Sequence, residues 1–473
     1  MPIDAAMRRW GRRGLLLYAL CTLTAGLHLL WVFSRSEEAI AGWAAEGPFS
    51  KWWVTSIALS LVWLLAGSFL VLLERGWVRG KWLLTILLFY AVALLYVAML
   101  RERIEYGDAW DYVKAAFNIY HGQPLFERYV YPPFWATFLR LFAALGPKGV
   151  VGVCVVMSLL SLLGFYWLLA ALLRRYGFSH NLAAVVVAGA LLVNVAVQRT
   201  LFYAQVNLLV MDLVLILMLA LRRWPVIGGG ALALAVHIKM SPAVFVLPLL
   251  LGRQIKCLVA CVVAGLAVVG LTMLAGAGWD YHLNALHNIR NIHTCLPPNE
   301  FYRNVSIDNL FLTGAGLGGM DAKLALRLAL AVKLAALAGL LMLTVRVVRR
   351  RPFLDQAGGE ALLFNMTPPL LLIMVIASPY FWDHHPVFLL PAFLPLLPHL
   401  RGGRDIFWFA VAWFLLFLLP IFDVYPLAHV RLAALGILAT LLAQARGDRA
   451  ERALSALNPW ADRLTAISLP ETG

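Results

Sequence analysis

The sequence predicts an all-helical protein with many membrane-spanning segments. Of its 473 residues, 62% are hydrophobic and only 13% are charged. A water-soluble domain is about 45–50% apolar and about 25% charged, so this chain carries more apolar surface than a soluble fold can bury. A helix spans a bilayer with about 20 apolar residues, because its backbone polar groups are all bonded within the segment.

Apolar segments of this kind recur along the whole chain. We predict them at 13–33, 52–74, 81–100, 148–173, 182–198, 205–222, 226–238, 241–252, 256–275, 322–347, 361–378, 386–400, 406–422 and 428–445. The segments 226–238 and 241–252 are each too short to cross alone, and Pro242 separates them, so we interpret them as a broken hairpin. The total is therefore 12 to 14 spans in one domain over 1–446.

Two long loops, 101–147 and 276–321, lie on the same predicted side of the membrane. The segment from Pro133 to Leu145 is apolar and amphipathic but short, which favours a helix lying in the membrane interface. The Gly228-Gly229-Gly230 run lies inside a span and indicates close helix packing rather than a phosphate loop.

The charge distribution predicts the orientation. With the N-terminus in the cytoplasm, most of the 39 Lys and Arg residues fall on the cytoplasmic side, and more than half of the 24 Asp and Glu residues fall on the other side. This agrees with the positive-inside rule. We expect an uncleaved first span, a cytoplasmic tail over 447–473, and a closing LPETG motif that is an added tag.

The net charge of +15 does not predict nucleic acid as a partner, because no stretch combines basic and aromatic residues in the way such surfaces require. The five cysteines show neither a pairing pattern nor zinc spacing. His282, His287 and His293 share the second long loop without tight ligand spacing. We therefore expect no disulfide, no metal site and no cofactor, with the lipid bilayer as the first partner.

The first long loop carries the densest polar signal. Asp108 and Asp111 are three residues apart, which places both carboxylates on one face of a helix. A carboxylate beside a bilayer is costly unless it has a function or a partner. Spacing alone also allows a solvated acid paired with Arg101, Arg103 or Lys114. The loop continues to Tyr131-Pro132-Pro133.

Further motifs follow at the ends of apolar segments. Lys239 is either a cation that snorkels to the interface or a phosphate counter-charge. Gln205 and Asn207 begin a span, where they bind a sugar or join helices. The remaining motifs are Asn304-Val305-Ser306 and Ser378-Pro379-Tyr380-Phe381-Trp382-Asp383-His384-His385.

Taken in order, these motifs resemble glycosyltransferase family 87, the polyprenol-phosphate-mannose-dependent mannosyltransferases. The resemblance covers about 101–400, with Val305 where the family usually has Gln. It implies a GT-C fold and an outer, non-cytoplasmic active site in a bacterial cytoplasmic membrane. An extra hairpin over 34–80 would depart from the usual GT-C order, in which the long loop follows the first span.

The resemblance also implies a reaction. An acceptor hydroxyl on a glycolipid or glycan attacks the anomeric carbon of a polyprenyl-phosphate sugar, most simply mannose, with inversion. It assigns Asp108 as general base and implies substrate binding by a second set of residues. These are Tyr131, Gln205, Asn207, Lys239, Asn304, His384 and His385. Asp111 falls where the family is variable and is a further candidate, as a ligand of the sugar or a residue that orients the base.

Two other functions remain open from the residues. A transporter or flippase of lipid-linked sugars would show ionisable residues at the midplane and broken helices in matched positions. This chain has one broken hairpin without a counterpart, and its acids lie mostly outside. A periplasmic glycan ligase or polymerase would also use a large outer loop.

Overall fold

The computed structural model describes residues 11–35, separate positions between 56 and 95, and residues 107–292, 304–354, 358–419 and 425–465. Every regular element in these ranges is helical. His293 and most of the predicted spans 52–74 and 81–100 and of the predicted hairpin over 34–80 lie outside the described residues. The polytopic helical class is confirmed.

We number the α-helices in chain order. They are α1 (Gly11–Phe33), α2 (Asp108–Tyr120), α3 (Phe134–Arg140), α4 (Gly146–Arg175), α5 (His180–Leu192), α6 (Val195–Phe202), α7 (Asn207–Ala220), α8 (Pro225–Ile238), α9 (Val246–Leu251), α10 (Ile255–Leu274), α11 (Trp279–Arg290), α12 (Ile307–Gly318), α13 (Ala322–Arg350), α14 (Gly359–Ala377), α15 (Leu390–Phe393), α16 (Gly403–Trp413), α17 (Val430–Gln444) and α18 (Gly447–Thr465). Short 3₁₀ helices occupy Ala143–Leu145, Ser241–Phe245, His385–Leu389, Leu394–His399 and Leu427–His429, and Phe414–Leu418 is π-helical.

Five of the described helices are long and apolar enough to cross a membrane, and a bent pair makes a sixth if it counts as one span. The five are Ala143–Arg175, Ile255–Leu274, Ala322–Arg350, Gly359–Ala377 and Leu427–Gln444. Four further apolar helices are shorter, at Ala19–Val32, Asn207–Ala220, Pro225–Ile238 and Ser241–Leu251. The other predicted spans are interrupted or lie outside the described ranges.

The interruption within 182–198 has a local cause in Asn194. Its side-chain Nδ2 donates to Ala190 O at 3.1 Å, while its Oδ1 accepts from Val197 N at 3.1 Å and caps α6. One residue thus ends α5 and begins α6, and the two helices meet at 64°. The apolar pattern predicted a single segment because hydrophobicity does not register such a cap.

The predicted break at Lys239 is present, since α8 ends at Ile238 and Lys239 is extended before a 3₁₀ turn. The predicted span 386–400 is instead two 3₁₀ turns around a four-residue helix. Its four prolines remove backbone donors and prevent a regular helix. The short helix α3 lies where the interfacial helix was predicted, and it packs against α2.

Helix α7 lies at the centre of the bundle, where it packs against α4, α8 and α14. The glycine run packs α8 closely against α10, because a Cβ on Gly229 would collide with the carbonyl oxygen of Cys257. Helix α13 packs against both α12 and α14.

Two buried cations within the spans have protein partners. Lys333 on α13 forms an ion pair with Asp308 on α12 and donates to Ser378 O at 3.2 Å. Arg431 on α17 donates to Leu415 O at 3.2 Å and to Leu419 O at 2.5 Å, next to the π-helical turn. A buried charge persists in an apolar bundle only when it is paired in this way.

We expect Lys333→Met to lower the free energy of unfolding by about 3–5 kcal/mol, because it leaves Asp308 as an unpaired buried charge. The measurement is thermal unfolding in detergent, with the exposed Lys323→Met on the same helix as the control. Adding Asp308→Leu to Lys333→Met should recover most of the loss. If Lys333→Met melts with Lys323→Met, the ion pair does not stabilise the bundle.

Candidate functional site

The candidate site lies where four helix ends meet. Helix α2 begins there at Asp108, α7 begins at Asn207, α8 ends next to Lys239, and the chain leaves α14 through the turn that carries His384. Each of these side chains belongs to a different segment of the sequence. Their convergence is therefore a product of the fold.

Asp108 is placed by a glycine and by its position on the helix. A Cβ on Gly107 would collide with the ring of Tyr203, so a glycine allows α2 to begin this close to the neighbouring loop. An acid in the first turn also interacts favourably with the helix dipole. Gly107 and the start of α2 therefore determine where the Asp108 carboxylate lies.

Asp108 and His384 face each other, with 3.8 Å between Asp108 Oδ2 and His384 Nε2. Oδ2 is shielded from solvent, although about 26% of the Asp108 side chain remains exposed. Burial raises the pKa of Asp108 above its ordinary value of 3.8, and the charge of Asp383 adds to this, whereas His384 and Lys239 oppose it. The acid is thus a better proton acceptor than a solvated carboxylate.

Lys239 lies on the same side of the cluster and is held by two side chains. Its Nζ is 3.0 Å from Asn207 Oδ1 and 3.3 Å from His385 Nε2. His385 Nδ1 lies 3.1 Å from Tyr380 O, so this nitrogen carries the hydrogen and Nε2 accepts from the ammonium group. The ammonium group also lies over the ring of Phe388, 5.1 Å from its centroid. This cation is fixed rather than free to snorkel.

Two amide donors complete the cluster. Gln205 Oε1 accepts from the hydroxyl of Tyr112 at 3.3 Å, and the Tyr112 ring packs edge-on against Tyr131. Within the described part of the chain, Gln205 Nε2 and Asn207 Nδ2 are buried without a hydrogen-bond partner. Buried polar atoms are almost always bonded, so these donors are suited to a polar ligand.

Asp111 lies one turn further along α2. Burial and, to a smaller extent, the charge of Asp108 raise its pKa to about 7, against the opposing charges of Lys114 and Arg128. Two basic side chains thus act on Asp111, whereas Asp108 faces the histidine. The two carboxylates share a helix face, as predicted from their spacing, but they face different groups.

Asn304 is placed differently from the other predicted residues. Its Nδ2 donates to Pro379 O at 3.1 Å, and its Oδ1 accepts from Phe381 N at 2.9 Å and from Ser306 N at 3.1 Å. The amide thus joins the start of α12 to the turn that carries the histidines. Its contacts indicate that it positions this turn.

Sequence reasoning left two neighbours of the cluster without a role. Arg199 Nε lies 3.2 Å from Asp383 Oδ2, and Asp383 Oδ1 lies 3.6 Å from His384 Nδ1. The available signal was an arginine at the end of a predicted apolar segment and an acid beside a histidine pair. Among the described residues, no group of three or more His, Cys, Asp or Glu is arranged to hold a metal ion.

Comparison with known proteins identifies the family. The family model for glycosyltransferase family 87 matches residues 129–379. This range contains Tyr131, Gln205, Asn207, Lys239 and Asn304 and leaves Asp108 and the histidine pair outside. The geometry nevertheless places those outer residues against the matched ones.

Two curated relatives are similar to this chain, and both are named polyprenol-phosphate-mannose-dependent alpha-(1-2)-phosphatidylinositol mannoside mannosyltransferase. The one from Mycolicibacterium smegmatis is 30% identical over 239 residues, which is 48% of this chain and 49% of the relative. The one from Mycobacterium tuberculosis is 28% identical over 215 residues, or 45% of this chain and 46% of the relative.

The chain therefore spans about half the length of the curated relatives it matches. No solved structure matches it significantly. The family match covers more than half of the 473 residues. The chain belongs to glycosyltransferase family 87.

Proposed function

We propose that the chain is a membrane mannosyltransferase that uses a polyprenyl-phosphate mannose donor and a glycolipid or glycan acceptor. The family and the names of the relatives support the reaction class and the donor. The observation that carries the proposal is the position of the Asp108 carboxylate opposite His384 and within electrostatic reach of the fixed cation of Lys239. A base and a phosphate-binding cation are the two groups that this reaction needs.

In the proposed reaction, the acceptor hydroxyl oxygen attacks the anomeric carbon of the sugar. The bond from that carbon to the phosphate oxygen breaks, and the phosphate leaves with the electron pair. Asp108 Oδ2 takes the hydroxyl proton as the new glycosidic bond forms. One displacement of this kind inverts the anomeric centre.

Negative charge grows on the phosphate as it leaves, and Lys239 is placed to stabilise it. The contacts of Lys239 with Asn207 and His385 fix the position of the ammonium group before the donor arrives. The amide donors of Gln205 and Asn207 are available to sugar hydroxyls. The centroid of the Tyr131 ring lies 6.0 Å from Lys239 Nζ, and this ring forms an aromatic wall of the proposed sugar site.

Asp111 and His384 have separate proposed tasks. Asp111 is under the influence of the charges of Asp108, Lys114 and Arg128, and we assign it to binding of the acceptor. His384 supports the ionised base across the 3.8 Å contact with Asp108. Asn304 acts on the substrate through the turn that it holds, rather than by its own amide.

We also propose that the site faces the non-cytoplasmic side of a bacterial cytoplasmic membrane, with both termini in the cytoplasm. The site lies at the C-terminal end of α14, whereas Glu360 at the opposite end pairs with Arg175 at 3.5 Å. Arg350 and Arg401, at other helix ends, both donate to the C-terminal carbonyls of α17. Basic residues thus collect away from the site, as the positive-inside rule requires.

Asp108→Asn should lower kcat by about 10²–10⁴-fold, because an amide cannot accept the hydroxyl proton. The measurement is transfer of radiolabelled mannose from a polyprenyl-phosphate donor by the purified full chain in detergent. The control is Asp280→Asn, which removes an exposed carboxylate of the second long loop. Equal transfer by both variants would remove Asp108 from the mechanism.

The pH dependence of kcat/KM should show an acid limb. Asp108 works only when ionised, and its pKa lies above 3.8, so activity should fall as pH decreases through that higher value. The profile is measured between pH 4 and pH 9 with the same transfer assay. A rate that stays constant down to pH 4 would contradict a buried carboxylate base.

Lys239→Met should lower kcat by about 10²–10³-fold and raise the KM for donor by less, because the lost cation matters most as the phosphate leaves. The control is Lys256→Met, at an exposed lysine at the start of α10. Melting temperatures of both variants test for misfolding. A variant at 239 that matches the control in kcat would end the phosphate assignment.

A further inference from the structure

His384 lies between two carboxylates. Its Nδ1 is 3.6 Å from Asp383 Oδ1, and its Nε2 is 3.8 Å from Asp108 Oδ2. Only about 6% of its side chain is exposed, so water contributes little to its orientation. The protein groups around the ring must therefore fix its orientation, and the groups nearest its two nitrogens are carboxylates.

Asp383 is itself anchored. Its second oxygen, Oδ2, lies 3.2 Å from Nε of Arg199 in the last turn of α6. The guanidinium group of Arg431 on α17 acts on it at longer range. With one oxygen directed to Arg199, the other is directed to His384.

Histidine has two non-equivalent nitrogens, and the group that bonds to one of them decides what the other does. A carboxylate near Nδ1 favours a hydrogen on that nitrogen. The remaining nitrogen, Nε2, then faces the Asp108 carboxylate. We propose that Asp383, anchored by Arg199, is a positioning residue that orients His384 toward the base Asp108.

This inference rests on the proposed function, because it assigns Asp383 and Arg199 to the support of the same base. It adds a chain of contacts from α6 through the turn after α14 to the start of α2. The geometry excludes direct work by Asp383 on the substrate hydroxyl, because its two oxygens already face His384 and Arg199. A purely structural ion pair would hold the turn without affecting proton uptake by Asp108.

The test is the pH profile of kcat/KM for Asp383→Asn. The charged groups that act on Asp108 are His384, Lys239 and Asp383, with Asp111 one turn away. Asp383→Asn removes a charge that raises the pKa of Asp108, but it also releases His384, whose lowering effect on that pKa is the larger of the two. We expect the acid limb to move up by about one pH unit and kcat/KM at pH 6 to fall about tenfold.

The matched control is Glu360→Gln, which breaks the Arg175–Glu360 ion pair at the other end of α14. That 19-residue helix is roughly 28 Å long, so the control is remote from the site. The control should leave the acid limb unchanged. Wild-type and variant chains are compared as full-length, monodisperse protein in detergent.

A second measurement uses Arg199. Arg199→Gln should lower kcat, and Arg199→Lys should restore at least half of that loss, because a lysine still supplies a cation to Asp383. If Asp383→Asn fails to fold, the two Arg199 variants test the positioning role on their own. An unmoved acid limb in Asp383→Asn, or equal loss in both Arg199 variants, overturns the positioning role.

The two proposals fail differently. If the wild-type chain transfers no mannose from any polyprenyl-phosphate donor, the proposed function falls and this inference with it. If the wild type transfers mannose and the Asp383 variant keeps the wild-type limb, only the positioning role falls.

Discussion

A chain inside a bilayer can leave its helices only where the freed backbone groups find other partners. That constraint shapes the site. The chain interrupts its helices at Asn194, at Lys239 and after Ala377, and polar side chains follow each interruption. The same breaks that cost helical hydrogen bonds bring the cations, amides and carboxylates of the cluster together. The helix interruptions therefore determine both the course of the chain and the position of the site.

The buried charges divide by whether the protein satisfies them. Lys333 is paired with Asp308 and a carbonyl, and Arg431 donates to two carbonyls near the π-helical turn. In contrast, Asp108 Oδ2 and His384 Nε2 form no hydrogen bond in the described part of the chain. The first group maintains the bundle, because a buried charge without partners is costly. Atoms of the second kind are available to a substrate.

Sequence patterns predicted the helical class, the break at Lys239 and a shared place for Asp108 and His384. Hydrophobic periodicity identifies segments, and motif order along the chain identified the residues. Neither periodicity nor motif order predicts how the segments are aligned against one another. The contact of Lys239 with Asn207 and His385, and the anchoring of Asp383 by Arg199, depend on that register. The contacts of Asn304 could not be predicted either, since two of its three partners are backbone groups 75 and 77 residues away.

The two carboxylates of α2 show how geometry decides between similar candidates. Asp111 has a pKa of about 7, which would suit a general base at neutral pH better than an ordinary carboxylate. The opposing charges that act on Asp111, however, are those of Lys114 and Arg128, whereas Asp108 faces the histidine and lies within electrostatic reach of Lys239. In a single displacement the base and the cation that receives the phosphate act on opposite faces of one carbon atom, so both must border the same site. The position of Asp108 meets this requirement in the proposed reaction, whereas proton affinity alone would have favoured Asp111.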